Sequence, residues 1–222
     1  MTGKTGDDLL LYGYWRSTTS YRLRIALNLK GLHYEQRSVH LVRNGGEQHQ
    51  PVYAALNPQQ LVPTLVHGES VLTQSLAIIE YLEETWPQPA LLPTEPLRRA
   101  QVRTLAQVIA CELHPLNNLR VLQYLSGELD VSEAGKSAWY QHWMQQGLST
   151  VEALLTRYGR AAAFCDGEQP GLADCCLAAQ IYNARRFQCQ WECYPLIKQI
   201  IASCDQHPAF LRAAPEQQPD AS

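Results

Sequence analysis

Residues 14–27 read YWRSTTSYRLRIAL and follow directly on a short apolar strand pattern at residues 9–12. Three hydroxyl side chains, Ser17, Thr18 and Thr19, therefore stand where a helix is expected to begin. The first backbone N–H groups of a helix lack internal partners and carry the positive end of its dipole, so they stabilise a thiolate, carboxylate or phosphate. The stretch predicts either an anion site or simply a Ser/Thr helix cap.

The charge balance argues against a nucleic-acid or membrane partner. The chain has 222 residues, with 18 Lys and Arg against 21 Asp and Glu, for a formal net charge of -3. This composition gives no broad basic field, and the length allows one large or two small domains. No apolar run reaches the roughly 18 residues of a membrane span, and Met1–Asp8 is too short and polar for a secretory signal. A cytoplasmic protein is predicted.

The seven cysteines are odd in number and contain no Cys-x-x-Cys pair. They are interpreted as reduced, mostly structural thiols. Cys189 and Cys193 have a spacing that could hold a metal ion, but the sequence offers no second pair of Cys or His ligands near them. No metal site is therefore predicted.

The patterns of the first 86 residues mix strands and helices. They predict, in order, a strand at residues 9–14, a helix from about Ser17 to Lys30, a strand near Tyr34–Leu41, two short strands around the turn Gly68–Ser70, and a helix opening at Gln74–Ser75. Gly31 is expected to end the first helix. Pro63 cannot donate to a sheet ladder, so it is expected at a strand start. Whether the Val62–Pro63 bond is cis stays open from these residues alone.

Prolines punctuate the middle of the chain, and helical periodicity follows them. Four prolines between Pro87 and Pro96 predict an extended linker. Two apolar stripes at helical spacing come after it, at Val102, Leu105, Val108 and Ile109 and at Leu148, Val151, Leu154 and Leu155. The predicted organisation is an α/β domain at residues 1–86, a linker at 87–96 and an all-α domain at 97–222. The polar tail Glu216–Ser222 is expected to fray.

Residues 16–27 resemble the signature of the zeta class of glutathione transferases, commonly Ser-Ser-Cys-x-Trp-Arg-Val-Arg-Ile-Ala-Leu. Four further segments agree with that class in the same order, namely Asn57–Pro58, 74–84, 114–119 and 183–187. The resemblance covers nearly the whole chain. It implies the glutathione transferase architecture, with a thioredoxin-like, glutathione-binding α/β domain followed by an all-α substrate domain, and it implies a homodimer.

The resemblance also implies an activity. Zeta-class proteins are similar in function to maleylacetoacetate isomerases, which use glutathione to convert maleylacetoacetate to fumarylacetoacetate in the breakdown of tyrosine and phenylalanine. The expected partner is therefore a small dicarboxylate, with glutathione as cofactor. Three alternatives stay open: a maleylpyruvate isomerase, a transferase acting on α-halo acids, and a non-catalytic binding protein with the same fold.

Site residues follow from the resemblance position by position. Ser17 falls at the thiol-activating serine, with Thr18 beside it and Thr19 where the class often has cysteine. The implied glutathione contacts are His40, Val62, Pro63, Gln74, Ser75, His114 and Asn118, with Pro63 expected in the cis form. The implied substrate contacts are Arg16, Asn117, Arg120 and Arg186. Thr19 puts in doubt any mechanism that needs a protein thiol at that position.

A second departure concerns folding. Gly171 replaces the Ser or Thr that usually caps a helix in this family, and glycine is a tolerable cap. Asp174 is expected to accept backbone N–H bonds there and is interpreted as a folding residue.

Overall fold

The computed structural model describes residues 8–221 of the chain. Residues 1–7 and 222 lie outside this range, and with them most of the segment Met1–Asp8 on which the prediction of no secretory signal rests. The described residues divide into two units, one made of the chain up to Leu91 and from Gln206 onward, the other Leu92–Asp205. No helix within residues 8–221 has both the length and the apolar character needed to cross a membrane.

A four-stranded mixed sheet forms the centre of the first unit. Its strands are β1 (Leu9–Gly13), β2 (Glu35–Ser38), β3 (Thr64–His67) and β4 (Ser70–Thr73), in the order β2-β1-β3-β4. β1 is parallel to β2 and antiparallel to β3, which is antiparallel to β4. Parallel neighbours need a crossover connection, and α1 (Thr18–Leu29) supplies it. The predicted α/β organisation of this region is observed.

Helix α1 is the most deeply buried helix of this unit. Leu23, Ile25 and Leu27 are each 0% exposed, and the helix packs against α3 (Ser75–Thr85) and α10 (Pro208–Ala213). Gly31 follows α1 with φ +64°, the left-handed conformation that glycine tolerates at a helix end. A short helix α2 (Pro51–Leu56), which the sequence patterns do not indicate, lies between β2 and β3.

The C-terminal segment is ordered, so the prediction that Glu216 onward frays is wrong for the described residues. A 3₁₀ turn spans Pro215–Gln217, and the Gln218 side chain is buried. Its amide nitrogen donates to the carbonyl oxygens of Arg212 and Ala214 at 3.0 and 2.8 Å. Composition alone missed this, because the segment is held by polar contacts rather than by apolar periodicity.

A buried ion pair lies at the carboxyl end of α1. The Lys30 ammonium lies 2.7 Å from a Glu83 carboxylate oxygen and also donates to the carbonyl oxygens of Trp86 and Pro89. The same Glu83 oxygen accepts the backbone N–H of Leu91. Lys30 thereby ties the end of α1 to the proline-rich stretch, in which Gln88–Pro89 is cis.

Helices build the second unit. They are α4 (Pro96–Gln107), α5 (His114–Leu116), α6 (Leu119–Gly127), α7 (Glu133–Tyr158), α8 (Leu172–Arg186) and α9 (Pro195–Cys204). Pro96 is the first residue of α4, where proline loses no hydrogen bond, so the stretch without regular structure ends one residue before the predicted linker bound. From the two predicted stripes Val102, Leu105, Ile109, Leu148, Val151 and Leu155 are buried.

A π-helical segment, Val108–Leu113, joins α4 to α5. Pro115 follows it and lacks the N–H that a regular helix would use, which gives a physical reason for the irregularity at this point. The segment packs against α7 at Gly147, where a Cβ atom would stand 2.6 Å from Leu113 Cδ2. Glycine permits this close approach.

Asp174 takes the folding role predicted for it. It is 2% exposed, and its two carboxylate oxygens accept the backbone N–H groups of Cys165 and Gly171, each at 2.8 Å. Gly171 caps α8 without a side chain. Burial raises the pKa of the Asp174 carboxyl, and the two backbone donors oppose that rise.

Candidate active site

Four chain segments meet at one edge of the sheet in the first unit. Strand pairing aligns Tyr12 with Thr64 and Thr64 with Thr73, and β1 and β4 run in the same direction because both are antiparallel to β3. The carboxyl ends of β1, β2 and β4 and the start of β3 therefore share this edge. The segments that leave or enter there carry Ser17, His40, Val62–Pro63 and Gln74–Ser75.

Ser17 is the N-cap of α1. Its backbone is extended, with φ -70° and ψ 121°, and its Oγ accepts the backbone N–H of Ser20 at 3.3 Å. The cap suggested by sequence is thus present, and it places the Ser17 hydroxyl at the positive end of the helix dipole. The first turn of α1 contains no acidic residue that would occupy this position. The same geometry serves a cap and an anion site.

A chain of hydroxyl groups runs from the cap to the next segment. Ser17 Oγ lies 2.8 Å from Thr19 Oγ1, and Thr19 Oγ1 donates to the Val62 carbonyl oxygen at 2.8 Å. A hydroxyl has one proton to donate, so Thr19 accepts from Ser17 while it donates to Val62. The Ser17 proton is therefore oriented by Thr19. Thr18 is buried at the first position of the helix.

The Val62–Pro63 peptide bond is cis. The residues on either side of it are held by two side chains that sequence reasoning did not select. Tyr53 Oη donates to the Leu61 carbonyl oxygen at 2.6 Å, and Asn57 Nδ2 donates to the same oxygen at 2.7 Å. Burial raises the pKa of the Tyr53 hydroxyl. In the sequence, Asn57 belongs to the Asn57–Pro58 segment that agrees with the zeta class. Its amide next to a turn-forming proline is the feature from which a structural role could have been predicted.

Gln74 and Ser75 begin α3. Gln74 has φ +67°, a left-handed conformation uncommon outside glycine, and its exposed side chain donates to Gln59 Oε1 at 2.8 Å. Ser75 is 7% exposed at the first helical position. A backbone outlier at a helix start is the kind of feature that functional sites retain. A second helix N-terminus is thus open to an anionic group at this sheet edge.

His40 follows β2 with a defined ring orientation. Its Nδ1 accepts the backbone N–H groups of Val42 and Arg43 at 3.3 and 2.9 Å, so Nε2 carries the proton of the neutral ring. The ring packs edge-on against Tyr14, with 4.8 Å between centroids. His40 therefore presents an N–H donor at Nε2.

Arg16 precedes the cap. Its guanidinium carbon lies 4.2 Å from the centre of the Trp15 ring, a stacked cation–π arrangement. Within residues 8–221, Arg16 has no carboxylate partner among the ion pairs. This cation–π contact holds the guanidinium over the ring and leaves its N–H donors available to a carboxylate.

The remaining predicted residues lie in the second unit, at the junction after the π-helical segment. His114 is buried, with its Nε2 3.5 Å from the amide nitrogen of Asn118. Asn118 caps α6 by accepting the backbone N–H of Arg120 at 3.2 Å. Asn117 is 5% exposed and donates to the Tyr140 carbonyl oxygen at 3.0 Å, so its amide group braces α7.

Both predicted substrate arginines of this unit are exposed. Arg120 lies in the first turn of α6, and Arg186 is the last residue of α8, with its guanidinium carbon 4.9 Å from the centre of the Phe187 ring. Phe187 stacks on Tyr140, with 4.0 Å between centroids, and both line a cavity of about 120 Å³. Burial raises the pKa of the Tyr140 hydroxyl. Arg186 is thus next to a cavity whose wall combines Tyr140 and Phe187 with charged and polar side chains.

Metal binding has no support in the part of the chain that the structure covers. Residues 8–221 contain no group of three or more His, Cys, Asp or Glu side chains placed to hold a metal ion. The seven cysteines form no disulfide in residues 8–221, and Cys111 and Cys193 are exposed.

The chain is similar to known proteins over its first part and over nearly its whole length. A family model described as the glutathione S-transferase N-terminal domain matches residues 11–90. A probable maleylacetoacetate isomerase of Vibrio cholerae serotype O1 is 51% identical over 213 residues, covering 96% of this chain and 98% of the relative.

Two solved structures cover nearly the whole chain. The holo structure of a bacterial zeta-class maleylpyruvate isomerase has a TM-score of 0.92 and 48% identity, covering 96% of this chain and 100% of that one. A maleylacetoacetate isomerase from Methylobacterium extorquens AM1, with bound malonate and GSH, has a TM-score of 0.91 and 40% identity, covering 96% and 99%.

A mixed thioredoxin-like sheet, a helical second unit and these similarities define the class. The chain belongs to the glutathione S-transferase family. Within it, the similarity is to the zeta class, the branch that contains maleylacetoacetate and maleylpyruvate isomerases. The predicted family and fold class are confirmed.

Proposed function

We propose that the protein is a glutathione-dependent cis–trans isomerase that converts maleylacetoacetate to fumarylacetoacetate. The observation that supports it most directly is the sheet edge where the Ser17 hydroxyl, the start of α1, the cis Val62–Pro63 bond and the start of α3 converge. The relative from Vibrio cholerae named for this activity is 51% identical over almost the full chain.

The donor set fits a tripeptide thiol. The start of α1 and the Ser17 hydroxyl suit an anionic sulfur, the Val62 backbone suits the peptide groups of the cysteinyl unit, and Gln74 with Ser75 at the start of α3 suits the γ-glutamyl carboxylate. His40, Pro63, His114 and Asn118 complete the proposed set. When bound, glutathione supplies a thiolate that adds reversibly to the double bond, which then rotates as a single bond.

Ser17 has the central role among the chain's own groups. Donors and the positive end of a helix lower the pKa of a thiol from about 8.5 into the range of roughly 3.5–7.5, so the anionic sulfur is populated at neutral pH. Ser17 has one proton, which it gives either to Thr19 or to this sulfur. Thr18 and Thr19 complete the proposed catalytic turn, with Thr19 orienting Ser17.

Arginines are proposed to bind the substrate carboxylates. A guanidinium pairs with a carboxylate through two parallel hydrogen bonds, which fix orientation as well as charge. Arg16, Arg120 and Arg186 are exposed or half-exposed and are assigned to this role. Asn117, also a candidate, already donates to the Tyr140 carbonyl oxygen, so the arginines are favoured for stabilising negative charge that develops on the substrate carbonyl.

The rival substrates are tested by measuring turnover of maleylacetoacetate, maleylpyruvate and a dihaloacetate side by side with glutathione. Maleylpyruvate stays a strong second candidate because a maleylpyruvate isomerase structure is 48% identical over 96% of this chain. The proposal requires the highest kcat/KM for maleylacetoacetate. A protein that turns over none of the three and is not retained by immobilised glutathione would be the non-catalytic binding protein instead.

We propose a cytoplasmic homodimer that acts in tyrosine and phenylalanine breakdown. The seven cysteines form no disulfide in the described residues, which suits a reducing compartment. Light scattering of the purified chain distinguishes a dimer from a monomer, and loss of growth on tyrosine in a deletion strain tests the pathway.

A further inference from the structure

Every backbone polar group of Tyr14 and Trp15, the residues that lead into the proposed thiol site, has a partner. The Tyr14 N–H donates to Ser20 Oγ at 3.3 Å, and the Tyr14 carbonyl oxygen accepts the Ser17 N–H at 3.0 Å. Arg24, 0% exposed, donates to the carbonyl oxygens of both residues at 3.5 and 2.9 Å. These partners all come from α1 or its cap.

The one remaining group is satisfied from the far end of the sequence. The Trp15 N–H donates to Asp220 Oδ2 at 3.1 Å. The same oxygen accepts the Ser38 hydroxyl at 2.7 Å, and Oδ1 accepts the Gln36 amide at 3.2 Å. Asp220 therefore joins the turn before Ser17 to the end of β2.

Two other contacts fix the segment that carries Asp220. Arg24 Nε donates to the Ala213 carbonyl oxygen at 3.0 Å, so one arginine holds both the turn and the end of α10. Ala221 packs against the buried cluster that contains Tyr14, Trp15 and Val62. The segment is thus bound on both sides of Asp220.

From these contacts we infer that Asp220 is a positioning residue for the thiol site, acting through the Trp15 N–H on the turn that places the Ser17 hydroxyl. Trp15 is the second residue of the turn that the Ser17 N–H to Tyr14 carbonyl bond closes. Without Asp220 the Trp15 N–H loses its acceptor in the C-terminal segment. Ser17 then samples a wider range of positions, and a displacement of this kind is costly in a preorganised site.

The inference rests on the proposed function, and the experiment separates the two. The pKa of bound glutathione is followed through thiolate ultraviolet absorbance in the full-length protein, and the pH–rate profile is recorded for the same variants. A wild-type complex with the thiol acidity of free glutathione would reject the proposed function. A normal wild-type value with no change in Asp220→Ala would reject only the role of Asp220.

In Asp220→Ala, the thiol pKa is expected to rise, and the alkaline shift of the pH–rate profile should lower kcat/KM at neutral pH by roughly tenfold or more. Asp220→Asn keeps one acceptor oxygen for Trp15 and should restore most of the activity. An Asn variant as impaired as the Ala variant would overturn the inference. Removal of residues 219–222 leaves the Gln218 anchors in place and should reproduce the Ala phenotype.

Two controls separate positioning from general anchoring of the tail. Ser38→Ala removes one bond to Asp220 but leaves the bond to Trp15, so its pH–rate profile should match the wild type. Gln217→Ala alters an exposed side chain of the same segment and should also be neutral. A shifted profile in Ser38→Ala equal to that in Asp220→Ala would count against the inference, because anchoring alone would then explain the loss.

Discussion

The hydroxyl of Thr19 donates a hydrogen bond to the carbonyl oxygen of Val62 over 2.8 Å, linking the first turn of α1 to the residue before a cis proline. Thr19 occupies the position where the zeta class often has cysteine. A hydroxyl can donate to Val62 and accept from Ser17 at the same time, and it does both in this structure. Thr19 therefore acts as an orienting group, in keeping with a mechanism that needs no thiol from the protein.

Replacing Thr19 tests this orientation directly. Thr19→Val has nearly the same shape, but its side chain neither donates nor accepts. Ser17 then loses its hydrogen bond to residue 19, and the Val62 carbonyl oxygen loses its donor. A hydrogen bond contributes about 1 kcal/mol, so kcat/KM should fall roughly fivefold. Thr19→Ser retains the hydroxyl and is the matched control. Equal kcat/KM in the Val and Ser variants would contradict the orienting role.

Ser17→Ala removes the proposed donor to sulfur. By analogy with the loss of one oxyanion-stabilising donor, kcat should fall by about 10²–10³-fold. The variant also loses a helix cap, which costs about 1 kcal/mol of unfolding free energy. Ser132→Ala is the matched control, because Ser132 caps α7 by accepting the Gly135 N–H. Steady-state kinetics and urea unfolding of both variants separate the two effects, and wild-type kinetics in Ser17→Ala would move the role to another hydroxyl.

Arg186→Ala should raise the apparent KM for the dicarboxylate substrate more than it lowers kcat, since the guanidinium is proposed to bind a carboxylate already present in the ground state. Arg185→Ala is the neighbouring control. Arg185 pairs with Asp205 through two hydrogen bonds at 3.1 and 2.6 Å on the surface of the second unit. An unchanged KM in Arg186→Ala would remove this residue from the proposed substrate site.

Lys30→Met should destabilise the protein strongly. The Lys30 ammonium has three acceptors and its side chain is 0% exposed, so its loss removes the Lys30 charge from the buried Glu83 carboxylate. Breaking one partner of a buried pair costs about 3–5 kcal/mol. The double variant Lys30→Met with Glu83→Gln should recover part of that loss. Urea denaturation provides the measurement, and a single variant as stable as the wild type would show that the pair contributes little.

Thiol labelling should distinguish two classes of cysteine. Cys111 and Cys193 are exposed and should react at once with a disulfide reagent, whereas the five buried thiols should react only after unfolding. Burial raises the pKa of Cys189 to about 11, so the fold favours its neutral form. The stability that this gives is complete below the ordinary thiol pKa and is lost as pH rises through about 11. Rapid native labelling of more than two thiols would contradict the burial pattern.

The sequence was sufficient for the fold because its local signals agree with one another. The hydroxyl-rich helix start, Gly31 at the helix end and Pro63 at a strand start each have a local physical cause, and each is found where predicted. Apolar spacing likewise predicted the buried faces of α4 and α7. Short helix α2 was missed because six residues carry too little periodicity to detect.

The site was predicted less completely. Ser17, Val62, Gln74 and Ser75 were selected by resemblance, and strand pairing explains why they share a sheet edge. Tyr53, Asn57 and Asp220 were not selected, because their side chains hold backbone groups and such contacts leave no periodic pattern in a sequence. The contact between Trp15 and Asp220 spans 205 positions, a separation at which local signals carry no information.

The first unit includes residues from Gln206 onward, so the residues that complete it are synthesised after the whole second unit. A nascent chain that has left the ribosome only as far as Asp205 lacks α10, against which α1 packs. Domains usually mature in the order of translation. Here the first unit acquires α10 only after the whole second unit has been synthesised.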